Sequence, residues 1–217
     1  MSSETQKLVA VTGASTGIGA SAARELARRG FHVLAGVRRD SDADAIRSTG
    51  IEPVILDITR PEQVEALAAR VAGDPRALHA LVNNAGISVN APVEALPMAQ
   101  WRWVFEVNLF GHIAVTQALL PALLRSKGRV INISLTAKDL AGQMTPEQDG
   151  RYGGLVQAIT AQMAEGTGSG VTADAAARVI ANAVTTRRQQ VTADDDLITD
   201  LRTDHVRTDL GDVSGGR

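Results

Sequence analysis

Between an apolar run, Lys7–Thr12, and a helical stretch, Gly17–Arg29, lies the segment Thr12-Gly13-Ala14-Ser15-Thr16-Gly17-Ile18-Gly19. Three glycines between a strand and a helix leave few folds open. Gly13 suits a sharp turn, Gly17 a close approach of backbone to a ligand, and Gly19 close packing of helix on strand. The helix start adds exposed amides and a partial positive charge, so the segment predicts a cradle for a diphosphate. A plain strand-to-helix turn needs only the first of these features.

The surrounding pattern fits such a site. Ile18, Ala22 and Leu26 mark one face of the first helix, and Gly30 supplies a left-handed stop. Phe31–Gly36, Pro53–Leu56, Ala80–Asn83 and Arg129–Ile133 read as further strands. Thr59 with Glu62 reads as a capping box, opening a helix to about Val71, and Trp101–Leu124 as a long apolar helix. Near-continuous apolar strands alternating with helices predict an α/β fold: a doubly wound parallel sheet of Rossmann type with helices on both faces. Ligands of such sheets bind beyond the carboxyl ends of the strands.

Composition narrows the function. The 217 residues carry a net charge of −2, which excludes a broad nucleic-acid surface. There is no cysteine, and His32, His79, His112 and His205 lack metal-ligand spacing. No apolar stretch is expected to span a bilayer, and MSSETQKLVAV lacks the parts of a signal peptide, so a cytoplasmic protein is expected.

The spacing Gly-x-x-x-Gly-x-Gly resembles the phosphate loop of the short-chain dehydrogenase/reductase family. Asp57-Ile58, Asn83-Asn84-Ala85-Gly86 and Asn108 match further family motifs in the same order. The resemblance implies a nicotinamide cofactor held by Gly13, Ser15, Thr16, Gly17, Ile18, Gly19, Arg38, Asp57, Ile58, Asn84, Ala85 and Gly86. It implies hydride transfer with an alcohol or carbonyl, and Asn108 and Ser134 as catalytic candidates. Where an NAD-selective member has a carboxylate, this chain has Val37, followed by Arg38, whose guanidinium can pair with a 2′-phosphate. NADP is therefore expected ahead of NAD. Val37-Arg38-Arg39 resembles members acting on hydrophobic alcohols such as retinoids or steroids. A homodimer or homotetramer is expected, with Trp101, Trp103 and Phe105 at an interface or in the core. Other roles stay open: Asp57 as a cap for the helix begun at Thr59, Asn83 and Asn84 bonded to their own backbone, Asn108 bonded back along its helix.

The resemblance then breaks. The family's acid/base tyrosine is followed four residues later by a lysine. Here Tyr152 is the only tyrosine and Val156 stands in the lysine's place. Leu135 replaces the second serine after the fifth strand. Thr145-Pro146-Glu147-Gln148 reads as a helix start, Arg151–Ala164 resembles a mobile substrate-binding segment, and Thr172–Val184 resembles a C-terminal helix of the family. At least one late strand–helix unit, roughly 30 residues or more, is thus missing between about Ser134 and Thr145. Lys138 with Tyr152 is a conceivable substitute pair. A catalytically silent cofactor binder or interaction protein is the alternative to an enzyme. Residues 1–202 read as one domain, with 7–135 the strong match, 145–185 a helical substrate-side segment and 203–217 a flexible tail. Asp194-Asp195-Asp196 reads as a solvated turn.

Overall fold

The computed structural model describes residues 6–89, 93–133 and 172–186. In chain order the elements are β1 (Leu8–Val11), α1 (Gly17–Arg28), β2 (His32–Val37), α2 (Asp40–Ile46), β3 (Ile51–Ile55), α3 (Pro61–Ala72), β4 (Leu78–Asn83), α4 (Met98–Phe105), α5 (His112–Ser126), β5 (Arg129–Asn132) and α6 (Ala173–Thr185). The five strands form one sheet in the order β3-β2-β1-β4-β5, every neighbouring pair parallel. The doubly wound architecture expected from the sequence is present.

Strand periodicity decides which helix covers which face. Val9 and Val11 of β1 join Val33, Ala35, Ala80 and Val82 in one core, closed by Ala22, Ala23 and Leu26 of α1, Ile46 of α2 and Ile180 and Val184 of α6. Leu8 and Ala10 point the other way and join Leu34, Leu78 and Leu81 beneath Leu67 of α3 and Val115 and Leu119 of α5. Both faces of each central strand are therefore apolar, as burial beneath two helix layers requires.

Several boundaries differ from the sequence expectation. Thr59 does not cap α3. The N-cap is Arg60, with Pro61 at the first helical position and no side-chain cap bond. Thr59 instead turns its amide and hydroxyl to the Asp57 carboxylate, and proline at N1 moves the helix start by one residue. α2 was not anticipated; it is short and polar, with only Ala43 and Ile46 buried. The long apolar helix is continuous from 98 to 126 but contains a π-helical turn, Glu106–Gly111. By length and composition this 29-residue stretch is apolar enough to cross a membrane, contrary to the sequence expectation. Val115, Leu119 and Leu123 are nevertheless buried beneath the sheet's second helix layer.

α6 begins as expected, with Thr172 accepting from the Ala175 amide at 3.2 Å. Its far end is held by three basic side chains. Arg129 donates to the Ala183 carbonyl at 2.9 Å and also to that of Thr186, His79 meets the Val184 carbonyl at 3.0 Å, and Arg29 donates to Asn182 at 2.9 Å. Arg129 and His79 thereby satisfy carbonyls that a helix end leaves without intrahelical partners, while Arg29 reaches the Asn182 side chain.

Ser134, Leu135, Lys138, Tyr152, Val156, His205, the stretches 145–164 and 194–196, and the expected tail 203–217 lie outside the described residues, as does the place where a strand–helix unit is expected to be missing.

Candidate cofactor site

The site starts at Thr12, where β1 ends and the side chain is fully buried. Its hydroxyl accepts from the amides of Asn84 at 3.0 Å and Ala85 at 2.9 Å. Asn84 returns the contact, its amide nitrogen donating to the carbonyls of Thr12 and Gly13, both at 3.0 Å. The glycine turn is thereby stitched to the segment after β4. On its other side, the Ala14 amide donates to the Gly36 carbonyl at the end of β2.

The three glycines do separate work. Gly13 has φ +64°, and a Cβ there would lie 2.7 Å from the Ala85 Cα. A Cβ on Gly19 would lie 2.2 Å from the Gly13 carbonyl oxygen and 2.4 Å from the Asn84 amide nitrogen. Gly17 differs: it has φ +56°, and a Cβ there would meet nothing within 4 Å. Its left-handed backbone thus borders open space at the start of α1, where Thr16 occupies the N-cap and no side chain makes a cap bond. An uncapped helix start leaves amides to a ligand. Ser15 and Ile18 are half-buried and Thr16 is exposed on the same rim.

Val37, the last residue of β2, is buried, while Arg38 and Arg39 beyond it are exposed. Arg39 pairs with Asp42 at 3.2 Å; Arg38 has no ion pair among the described residues. Asp57, after β3, accepts from the Thr59 amide at 3.0 Å and hydroxyl at 2.7 Å, while its own amide donates to Gln63 at 2.6 Å. Burial opposes the charged carboxylate, but the Thr59 hydrogen bonds and the nearby Arg38 and Arg60 charges outweigh it and hold Asp57 below its ordinary range. Ile58 is buried, packed at Gly111.

Past β4, the chain 84–88 borders a cavity of about 710 Å³, lined among others by Ser88, Asn108, Thr116 and Asn132. Asn108, on the π turn, does not bond back along its own helix. Its oxygen accepts from the Ile87 amide at 2.9 Å and its nitrogen donates to the Ile87 carbonyl at 2.7 Å. Nor does Asn83 serve its own backbone, since its nitrogen donates to Thr116 and to Asn132, both at 3.0 Å. The structure thus packs Gly13 against Ala85 and Gly19 against Asn84, and sets Asn84, Ala85, Gly86 and Asn108 along the cavity toward β5, with Gly17 at the start of α1 and Arg38 and Asp57 after β2 and β3. Thr116 and His112 carry no local signal of these contacts, and Thr12 is marked in the sequence only as the head of the glycine turn, because their partners lie far away along the chain.

These loops lie at the carboxyl ends of parallel strands in a Rossmann-type sheet, where ligands of such sheets bind. The family model of the short chain dehydrogenases matches residues 7–164, and the chain belongs to that family. It is 40% identical over 131 residues to the uncharacterized oxidoreductase YbbO of Escherichia coli K12, covering 59% of this chain and 49% of that one. It is 42% identical over 134 residues to human retinol dehydrogenase 16, covering 59% and 42%. The chain thus spans about half the length of these curated relatives or less. A crystal structure of a metagenomic short-chain oxidoreductase in complex with NADP superimposes with a TM-score of 0.64 at 25% identity, covering 86% of this chain and 94% of that one.

Proposed function

We propose that this chain binds NADP(H) across the ends of β3, β2, β1 and β4, and that it serves an oxidoreductase reaction on a hydrophobic alcohol or ketone. One observation carries the reading: the left-handed Gly17 beside open space at an uncapped helix start, on a turn packed too tightly at Gly13 and Gly19 for any side chain. That arrangement fits a diphosphate. Arg38, exposed and with no ion pair among the described residues, fits a 2′-phosphate, and Asp57, whose Thr59 contacts use one carboxyl oxygen, leaves the other for the adenine. A bound nicotinamide would supply or accept the hydride. The chain's own residues orient it: Thr12, Asn84 and Asn108 fix the backbone of 84–87. The NADP complex of the metagenomic relative supports the cofactor, and the likeness to retinol dehydrogenase 16 supports an apolar alcohol.

A second reading is favoured by the sequence around Tyr152. Val156 stands where the family's lysine would bring a phenol's pKa of about 10 toward neutrality, and in this reading the chain binds cofactor without turnover. The test follows NADPH absorbance with a panel of aldehydes and ketones. Turnover abolished by Tyr152→Phe supports the enzyme; binding without turnover supports the silent reading.

A further inference from the structure

We infer that His112 is a positioning residue for the nicotinamide half of the cofactor, acting through the Ala85 carbonyl; the inference rests on the dinucleotide reading above. Strand order fixes which half lies where. With the diphosphate at the end of β1 and the adenosine toward β2 and β3, the other half must extend over β4 and β5. The chain 85–87 there has no regular secondary structure of its own.

It is held at four backbone atoms. The Ala85 amide donates to Thr12 at 2.9 Å, and the Ala85 carbonyl meets His112 Nε2 at 2.6 Å. The Ile87 amide and carbonyl both bond to Asn108. What remains is the peptide of Gly86, the exposed residue of the three, with no hydrogen bond among the described residues. The clamp therefore offers a ligand one oriented amide and one oriented carbonyl. Asn108 and His112, four residues apart, hold the segment from the helix side, and Thr12 holds it from the sheet. A carbonyl only accepts, so His112 must carry its proton on Nε2 in this contact. His112 also lines the cavity and is its only titratable group among the described residues.

The test compares NADPH with adenosine 2′,5′-bisphosphate, a probe that lacks the nicotinamide half, in the parent, His112→Ala and His112→Gln. The parent is expected to bind both. His112→Ala should weaken NADPH about three- to ten-fold, the size of one lost hydrogen bond, and leave the bisphosphate unchanged. His112→Gln, which keeps an N–H donor, should recover most of the loss. An unchanged NADPH affinity, equal weakening of both ligands, or a Gln variant no better than Ala overturns the inference. Nitrogen NMR of the parent without ligand adds an independent check. The Nε2–H tautomer is expected, and an Nδ1–H tautomer contradicts the contact even where both ligands bind. A parent that binds neither ligand instead overturns the dinucleotide reading itself.

Discussion

Every residue of β1, from Leu8 to Val11, is at most 2% exposed, whereas along β5 half-buried residues alternate with exposed ones. β1 has a strand on each side and helices over both faces; β5 pairs with β4 alone among the described residues. Leu109, Ile113, Leu120 and Leu124, which follow one another along one stripe of the long helix, are all more than 40% exposed, and Val130 of β5 is 37% exposed. Under the proposed function, the half of the site that would hold the diphosphate and adenosine is thus set in a closed core. The half that faces the reaction has a firm floor, Thr12 to Asn108, and an open flank. Cofactor binding and chemistry place separate demands on such a chain, and the first can be met where the second is not.

Substitutions that contrast the two flanks test this. Leu119→Ala, beneath the sheet, should cost about 3 kcal/mol in chemical denaturation, whereas Leu124→Ala, on the open stripe, should stay within about 0.5 kcal/mol. Equal losses would mean that the stripe is covered in solution. Gly19→Ala should lower stability by about 2–3 kcal/mol and abolish the thermal shift produced by NADPH, because its Cβ would collide with the Gly13 carbonyl. Thr12→Val orphans the amides of Asn84 and Ala85 and should cost about 2 kcal/mol in the same denaturation measurement. Arg38→Ala should weaken NADPH about tenfold, or about 1.4 kcal/mol, with little change for NADH; equal affinities in the parent would exclude the 2′-phosphate contact.

The smallest effects concern pH. The Arg70 guanidinium, aided by His32 and working against burial, draws Glu52 down to about 2. Its depressed pKa contributes stability that is full above the ordinary carboxylate range and is lost as pH falls toward 2. Because the pair is partly exposed, the contribution is about 1 kcal/mol or less. Burial also lowers His79, helped by Lys7 and Arg129 and opposed by the Val184 carbonyl. The unfolded chain then takes up that proton first, so stability should decline as pH drops below about 6.5. Unfolding curves across pH should lose the lower step in Glu52→Gln and the upper step in His79→Gln.

The glycine turn and the strands were legible because local chemistry dictates them: positive φ at Gly13 and Gly17, and period-2 runs with apolar residues on both faces. What escaped was set by distance or by weak signals. Thr12 serves residues 72 and 73 positions away, and His112 reaches one 27 positions away. The π turn at Asn108 carries no sequence period of its own. α2 buries only two side chains, and Pro61 overrode a capping box that looked sound at Thr59.

Calorimetric titration of NADPH into the purified chain tests the central claim most directly. Saturable binding at one site per chain, lost in Gly19→Ala and kept in Leu124→Ala, is the predicted result. No heat and no shift in melting temperature for the parent would contradict it.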